Sequence, residues 1–245
     1  GVMNTDNVTI SGEGIDYGPC AFMDRFDPAT VFSSIDHAGR YAYGNQPRIT
    51  TWNLARLAET LVSLVDDDFD VAAEALTCAL NEFDDRYRSH WLTGMRAKLG
   101  IVVAQQSDGD FFDELLSLMQ TEHLDYTSTF RSLAALLRDQ AAEPVFGAEN
   151  LIAAHWVTRW RSRLAAQGTE LSQAADLMDA ANPVYIPRNH LVDQALNAAT
   201  KGDMVPFQEL LRVVTDPFVE RDGLERFAKP APDGFENGFK TFCGT

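Results

Sequence analysis

The sequence contains few cysteines. Cys20, Cys78 and Cys243 are the three cysteines in 245 residues. They are too few for a disulfide scaffold, and they lack the spacing of zinc ligands. A reducing, cytoplasmic-type compartment is therefore the default expectation. Because Cys78 falls within a predicted helix, we expect it in the core.

Positive charge and long apolar runs are also scarce. The chain has 20 Lys and Arg against 36 Asp and Glu, which gives a net charge of −16. Nucleic-acid binding needs a basic surface, and anionic membranes attract basic segments, so neither partner is expected. No apolar run approaches the ~20 residues that are needed to span a bilayer.

The rest of the composition is that of a globular protein with a real core, since 45% of the residues are hydrophobic. Residues 1–50 are irregular and rich in Gly, Pro, Asp and aromatic residues. Residues 51–220 have a helical pattern, and residues 221–245 are a polar tail. No clear linker separates these parts, so we expect one packing unit that is mainly α, with about eight helices.

Apolar residues at three- and four-residue spacing locate the helices. The predicted helices are 51–65, 70–99, 108–119, 125–137, 150–166, 171–181, 188–199 and 205–214. Thr50 or Thr51 is the expected N-cap of the first helix, which places Pro47 before it. The tryptophans at helical spacing are expected to fill the core or an interface; they are Trp52, Trp91, Trp156 and Trp160.

Chemistry-bearing residues are concentrated near the start of the chain. Asp6 and Asn7 are adjacent, and Asp16 follows after a Gly-rich turn that contains Gly12 and Gly14. A short β-hairpin between Asn7 and Asp16 would bring an amide and a carboxylate together as metal ligands, with Asp6 as a general base. The alternative is that these are ordinary turn residues, because Asp and Asn are common in turns.

Long and specific motifs run through the whole chain. They include GVMNTDN, IDYGP, FMDRFDP, GRYAYGNQP and WNLARLAETL, and farther along LTGMRAKLG, DYTSTFRSL, NPVYIPRNHLVDQAL and TFCGT. Together these motifs closely resemble the selenoprotein O family, which is called YdiU in bacteria. The resemblance covers essentially all 245 residues.

The resemblance implies a protein-kinase-like fold and a protein adenylyltransferase activity. Members of the family transfer AMP from ATP to Ser, Thr or Tyr hydroxyls of other proteins. By this resemblance Asp6 is the catalytic base, Asn7 is a metal ligand, and Asp16 binds both metal and nucleotide. The implied cofactor is Mg²⁺ or Mn²⁺. The implied location is cytoplasmic in a bacterium and mitochondrial in eukaryotic relatives.

Residues 20–50 then correspond to an activation segment. Arg40 in this segment is a candidate for contacting phosphate or tethering the segment, and a structural surface arginine is the alternative. Cys243 takes the near-terminal position that holds selenocysteine or cysteine in the family. Its family partner position holds Phe32 here, so our hypothesis is that Cys20 substitutes and forms a regulatory disulfide with Cys243.

The parts that normally hold a triphosphate are not recognisable in the chain. These are a Gly-rich loop, a Lys paired with a Glu, and arginines, and in the family they precede the catalytic loop. We therefore expect a C-terminal catalytic half that binds ATP poorly and is inactive by itself. Two alternatives stay open: a conventional kinase lobe for protein or small-molecule substrates, and a non-catalytic helical interaction module.

Overall fold

The computed structural model describes residues 1–13, 21–138, 146 and 150–242. The chain divides into two compact units. The first unit comprises Gly1–Ala21, Pro28–Trp91 and Phe239–Thr245, and the second comprises Phe22–Asp27 and Leu92–Gly238. The described residues are mainly helical, as the sequence predicts. In these ranges no helix is both long and apolar enough to cross a membrane.

The helices are numbered in chain order. They are α1 Gln46–Val65, α2 Phe69–Asn81, α3 Phe83–Lys98, α4 Asp108–Thr121, α5 Tyr126–Leu137, α6 Leu151–Ala166, α7 Leu171–Ala181, α8 Asn189–Ala199, α9 Val205–Val214 and α10 Glu225–Ala228. The predicted bounds of α7 and α9 are confirmed, and those of α4, α5, α6 and α8 are confirmed to within two residues. Asp125 and Asn150 are the N-caps of α5 and α6, and their side chains accept backbone N–H groups.

Two helix boundaries differ from the prediction. Helix α1 begins at Gln46, because Pro47 occupies the first turn, where its missing N–H costs nothing. The hydroxyls of Thr50 and Thr51 therefore donate to the carbonyls one turn back instead of capping the helix. The predicted helix 70–99 is two helices, since the N–H of Glu82 turns to the carbonyl of Leu80 and ends α2.

In the first unit, α1 packs against α2. The buried residues of this pair include Ile49, Asn53 and Ala58 of α1 and Ala72 of α2. The prediction that Cys78 is a core residue is wrong, because it lies on the exposed face of α2. The described part of the tail is ordered here, since the N–H of Ser34 donates to the carbonyl of Thr241 at 2.7 Å.

In the second unit, α5 packs against α7, and α8 packs against α9. The prediction that Trp156 and Trp160 fill the core is confirmed, since both are fully buried. Their indole N–H groups donate to the carbonyls of Phe111 and Leu99, both at 3.0 Å. Burial of these rings therefore leaves no indole donor unsatisfied.

A buried arginine joins four parts of the second unit. Arg188 has no exposed side-chain surface, and its Nη1 lies 2.6 Å from carboxylate oxygens of both Asp24 and Asp125. Its Nη2 donates to the carbonyl of Ala228 at 2.9 Å. Burial alone would lower the pKa of Arg188, but the hydrogen bonds and charges of the two aspartates outweigh it and raise that pKa. The guanidinium therefore stays charged.

A second buried ion cluster surrounds the start of α4. The Asp108 carboxylate is fully buried and pairs with Arg163 and with Arg96, whose Nη1 lies 3.1 Å away. Burial alone opposes ionisation of Asp108. The N–H of Gln105 and the two arginines nevertheless stabilise the carboxylate and hold its pKa below the ordinary range.

Arg188→Met is expected to lower the free energy of unfolding by about 3–5 kcal/mol, because Asp24 and Asp125 would remain buried without their partner. Chemical denaturation measures this loss. Arg25→Met is the matched control, since Arg25 pairs with Asp233 in an exposed ion pair and should cost less than about 1 kcal/mol. Equal losses in the two variants would contradict the role of Arg188.

Because of Asp108, the free energy of unfolding should depend on pH in the acid range. Because its folded pKa lies below the unfolded value of about 3.9, the ionised carboxylate stabilises the fold fully above that value. The stabilisation is lost as the pH falls through the lower, folded pKa. Denaturation between about pH 6 and pH 2 should therefore show a shallower pH dependence for Asp108→Asn than for the parent chain. The exposed Asp110 supplies the control variant Asp110→Asn, which should keep the parent dependence.

Candidate active site

The predicted base lies in a single 3-10 turn at Thr5–Asn7. Asn4 precedes this turn, and the N–H of Asn7 donates to the Asn4 carbonyl at 3.0 Å. We call residues 4–8 the Asp6 turn. The Asp6 side chain is exposed in this chain. The chain leaves the turn in an extended conformation at Val8.

The predicted amide ligand is oriented by its own loop. The Nδ2 of Asn7 donates to the carbonyl of Val2 at 3.1 Å. This bond fixes which way the amide faces, and within the described residues its oxygen accepts no hydrogen bond. An amide oxygen that accepts no hydrogen bond is available to bind a cation, and Mg²⁺ prefers oxygen ligands. Asn7 therefore suits the predicted metal role.

The residues after the turn reverse the chain direction. The N–H of Gly12 donates to the carbonyl of Thr9 at 3.0 Å, and the Thr9 hydroxyl donates to the carbonyl of Glu13 at 2.9 Å. Gly12 has a φ of +79°, which glycine adopts without strain. The predicted hairpin between Asn7 and Asp16 extends beyond this turn. Asp16, Cys20 and Cys243 lie outside the described residues, so the hairpin and the disulfide stay predictions.

Two side chains from later in the first unit support the Asp6 turn. Asn53 of α1 is buried, and its Nδ2 donates to the carbonyl of Met3 at 3.0 Å. The hydroxyl of Tyr41 donates to the side-chain oxygen of Asn4. Both bonds hold residues that lie just before the 3-10 turn, so they restrain the backbone that carries Asp6.

The sequence pattern does not predict that Asn53 and Asn4 support the turn. A signal was present for Asn53, because it is a polar residue on the buried face of a predicted amphipathic helix. Such a residue needs a buried hydrogen-bond partner. Asn4 carried no comparable signal, since a short loop has no periodicity that would mark it.

Asp36 fixes the part of the predicted activation segment that carries Tyr41. Its carboxylate accepts the N–H of Arg40 at 2.8 Å and the N–H of Tyr41 at 2.9 Å. Asn45 closes the same loop, because its Nδ2 donates to the carbonyl of Gly39 at 2.7 Å. The loop that holds the Asp6 turn is therefore itself held by short-range hydrogen bonds.

The arrangement combines an exposed carboxylate with an adjacent, oriented amide oxygen. A carboxylate in this position can accept a proton from a hydroxyl nucleophile. Within the described ranges, no group of three or more His, Cys, Asp or Glu side chains is placed to hold a metal ion. The predicted metal site has a different composition, since it pairs the Asn7 amide with the carboxylate of Asp16.

Comparison with known proteins decides the family. The family profile described as "Protein adenylyltransferase SelO" matches residues 1–215. The chain belongs to the SelO family. This membership confirms the resemblance that the sequence motifs indicate.

The chain is similar over its full length to bacterial members of this family. It is 53% identical over 246 aligned residues to the protein nucleotidyltransferase YdiU of Cereibacter sphaeroides, covering 100% of this chain and 50% of that protein. It is 52% identical over 248 residues to the Rhodococcus jostii protein of the same name, covering 100% of this chain and 48% of the relative. The chain thus spans about half the length of these curated relatives.

Tyr41→Phe should loosen the Asp6 turn. The change removes the hydroxyl that donates to Asn4, a bond worth about 1 kcal/mol. Native-state hydrogen exchange in the full-length gene product should therefore be about 5-fold faster for the amides of residues 4–8. Tyr87→Phe is the control, because Tyr87 lies in α3 and is 40% exposed. Unchanged exchange at residues 4–8 in Tyr41→Phe would show that the hydroxyl does not support the turn.

Proposed function

We propose that this chain supplies the catalytic base and the metal ligands of a metal-dependent protein adenylyltransferase. The observation that carries the proposal is the Asp6 turn, which presents an exposed carboxylate beside an amide whose nitrogen is already bonded. Membership of the SelO family supports adenylyl transfer as the reaction. The acceptors in this proposal are Ser, Thr or Tyr hydroxyls of other proteins.

Asp6 acts on the hydroxyl nucleophile. Its carboxylate accepts the hydroxyl proton as the oxygen attacks the α-phosphorus of ATP. The bond between the α-phosphorus and the oxygen bridging to the β-phosphate breaks, and pyrophosphate leaves. The acceptor therefore gains AMP. An exposed base suits this reaction, because the nucleophile belongs to a separate protein that must reach the carboxylate.

Asn7 and Asp16 are the residues that would hold Mg²⁺ or Mn²⁺. A bound divalent cation would neutralise negative charge on the phosphates during transfer. The Asn7 nitrogen is committed to the carbonyl of Val2, so the amide oxygen is the atom left to bind a cation. Asp16 supplies the carboxylate of the pair and, in this proposal, also contacts the nucleotide.

A conventional kinase is the second candidate function. It uses the same base and the same metal ligands, but it transfers the γ-phosphoryl group. The description of the matching family favours adenylyl transfer. The two reactions differ in which phosphorus atom the acceptor retains, and this difference allows a direct test.

Asp6→Asn is expected to lower kcat for AMP transfer by about 10²–10⁴-fold, because an amide cannot accept the hydroxyl proton. The assay incubates the full-length gene product with a protein acceptor and ATP labelled on either the α- or the γ-phosphate. Label from the α position should appear on the acceptor, and label from the γ position should not.

Asp67→Asn is the matched control for Asp6→Asn, since it neutralises another exposed aspartate between α1 and α2. It should retain the parent rate. Transfer of the γ label would instead identify a kinase. A normal rate of α-label transfer by Asp6→Asn would remove Asp6 from the mechanism.

A further inference from the structure

An exposed group of cationic and aromatic side chains lies in the first unit. Arg40 and Arg56 both stack on Trp52, with their Cζ atoms 4.9 Å and 5.4 Å from the centroid of its ring. Trp52 is 41% exposed, and both arginines are exposed. We call these three residues the arginine–tryptophan surface. Trp52 is therefore not a core residue, and the alternative that it lies in an interface stays a prediction.

The arginine–tryptophan surface is connected to the Asp6 turn by two hydrogen bonds. The Nε of Arg40 donates to the hydroxyl of Tyr41 at 3.3 Å, and that hydroxyl donates to the side chain of Asn4. Asn4 begins the turn that carries Asp6. A protein that presents a hydroxyl to Asp6 would therefore have its neighbouring residues close to Arg40.

The backbone at Arg40 is held in place before any partner binds. The carboxylate of Asp36 accepts the N–H groups of both Arg40 and Tyr41. Stacking on Trp52 restricts the guanidinium as well. A side chain that is restrained in the free protein loses less entropy when it binds a partner, so binding there is more favourable.

Charge indicates what the surface binds. The chain carries a net charge of −16, yet this surface presents two guanidinium groups, and that of Arg40 is connected by hydrogen bonds to the turn that carries Asp6. Arg56 pairs with Glu59 at 2.5 Å, whereas in the described part of the chain no carboxylate forms an ion pair with Arg40. A guanidinium stacked on an aromatic ring keeps its edge donors available for a carboxylate.

We propose that the arginine–tryptophan surface binds an acidic residue adjacent to the target hydroxyl in the protein substrate. Arg40 and Arg56 are then specificity-determining residues that select acidic acceptor segments. The inference rests on the proposed adenylyltransferase function and names the class of acceptor that it uses. A contact between Arg40 and a nucleotide phosphate is the competing role, and it would not require the second arginine on Trp52.

The test compares two peptides with one serine each. The peptides are identical except that the residues flanking the serine are Glu in one and Gln in the other. With the full-length gene product and α-labelled ATP, KM should be lower for the Glu peptide. Arg40→Gln should raise that KM by about 2–5-fold, and the double variant with Arg56→Gln by about 5–20-fold, because exposed charge pairs are individually weak. The KM for the Gln peptide should rise less than the KM for the Glu peptide, because the Gln peptide offers no carboxylate to either arginine.

Three controls separate charge recognition from a structural effect. Arg40→Lys should keep most of the preference for the Glu peptide, because the positive charge remains. Arg86→Gln should have no effect, since Arg86 lies in a comparable exposed helical ion pair with Glu82. Raising the salt concentration should increase the KM for the Glu peptide and leave that for the Gln peptide unchanged.

A binding measurement keeps the inference testable without catalysis. Fluorescence anisotropy of the labelled peptides, without ATP, should show tighter binding of the Glu peptide and loss of that difference in the double variant. If neither peptide accepts AMP while this binding difference persists, the proposed function fails and the acidic docking surface stands. Equal affinity for the two peptides would overturn the inference. An increased KM for ATP in Arg40→Gln, with the peptide KM unchanged, would overturn it in favour of a phosphate contact.

Discussion

The second unit depends on the neutralisation of one buried positive charge. Arg188 is fully buried and charged, and removing a guanidinium from water is costly unless carboxylates replace the lost hydration. Asp24, Asp125 and the carbonyl of Ala228 provide that replacement. These groups come from the segment Phe22–Asp27, the start of α5 and the end of α10. Segments that are distant in the sequence are therefore held together because all of them contact the Arg188 guanidinium.

Both aspartates around Arg188 also satisfy backbone groups. Asp125 accepts the N–H of Ser128 and so caps α5, and Asp24 accepts the N–H of Ala231. Each carboxylate therefore has several donors, which is the condition under which a buried charge is tolerated. The FMDRFDP motif contains Asp24.

The sequence predicts the helices better than it predicts which distant residues form hydrogen bonds with one another. Periodicity locates α7 and α9 to the residue, because an apolar face requires a helical period and the flanking residues end it. Periodicity says nothing about a polar residue whose partner is far along the chain. The helical pattern predicts Arg188 only as the start of a helix, and it does not indicate its partner Asp24, which lies 164 positions away. The same holds for Asn53, whose partner is the carbonyl of Met3.

The candidate site shows the same difference between what the sequence predicts and what it does not predict. Motif resemblance predicts Asp6 and Asn7 as site residues, because both lie in the GVMNTDN motif. It does not identify Asn4, Tyr41 and Asn53, which only hold the loop. In the proposed function a protein acceptor reaches Asp6 from solvent, so the proposed base is exposed, and an exposed loop cannot be fixed by burial of its own side chains. Its rigidity must come from hydrogen bonds to neighbouring elements, and these are the bonds that Tyr41 and Asn53 provide.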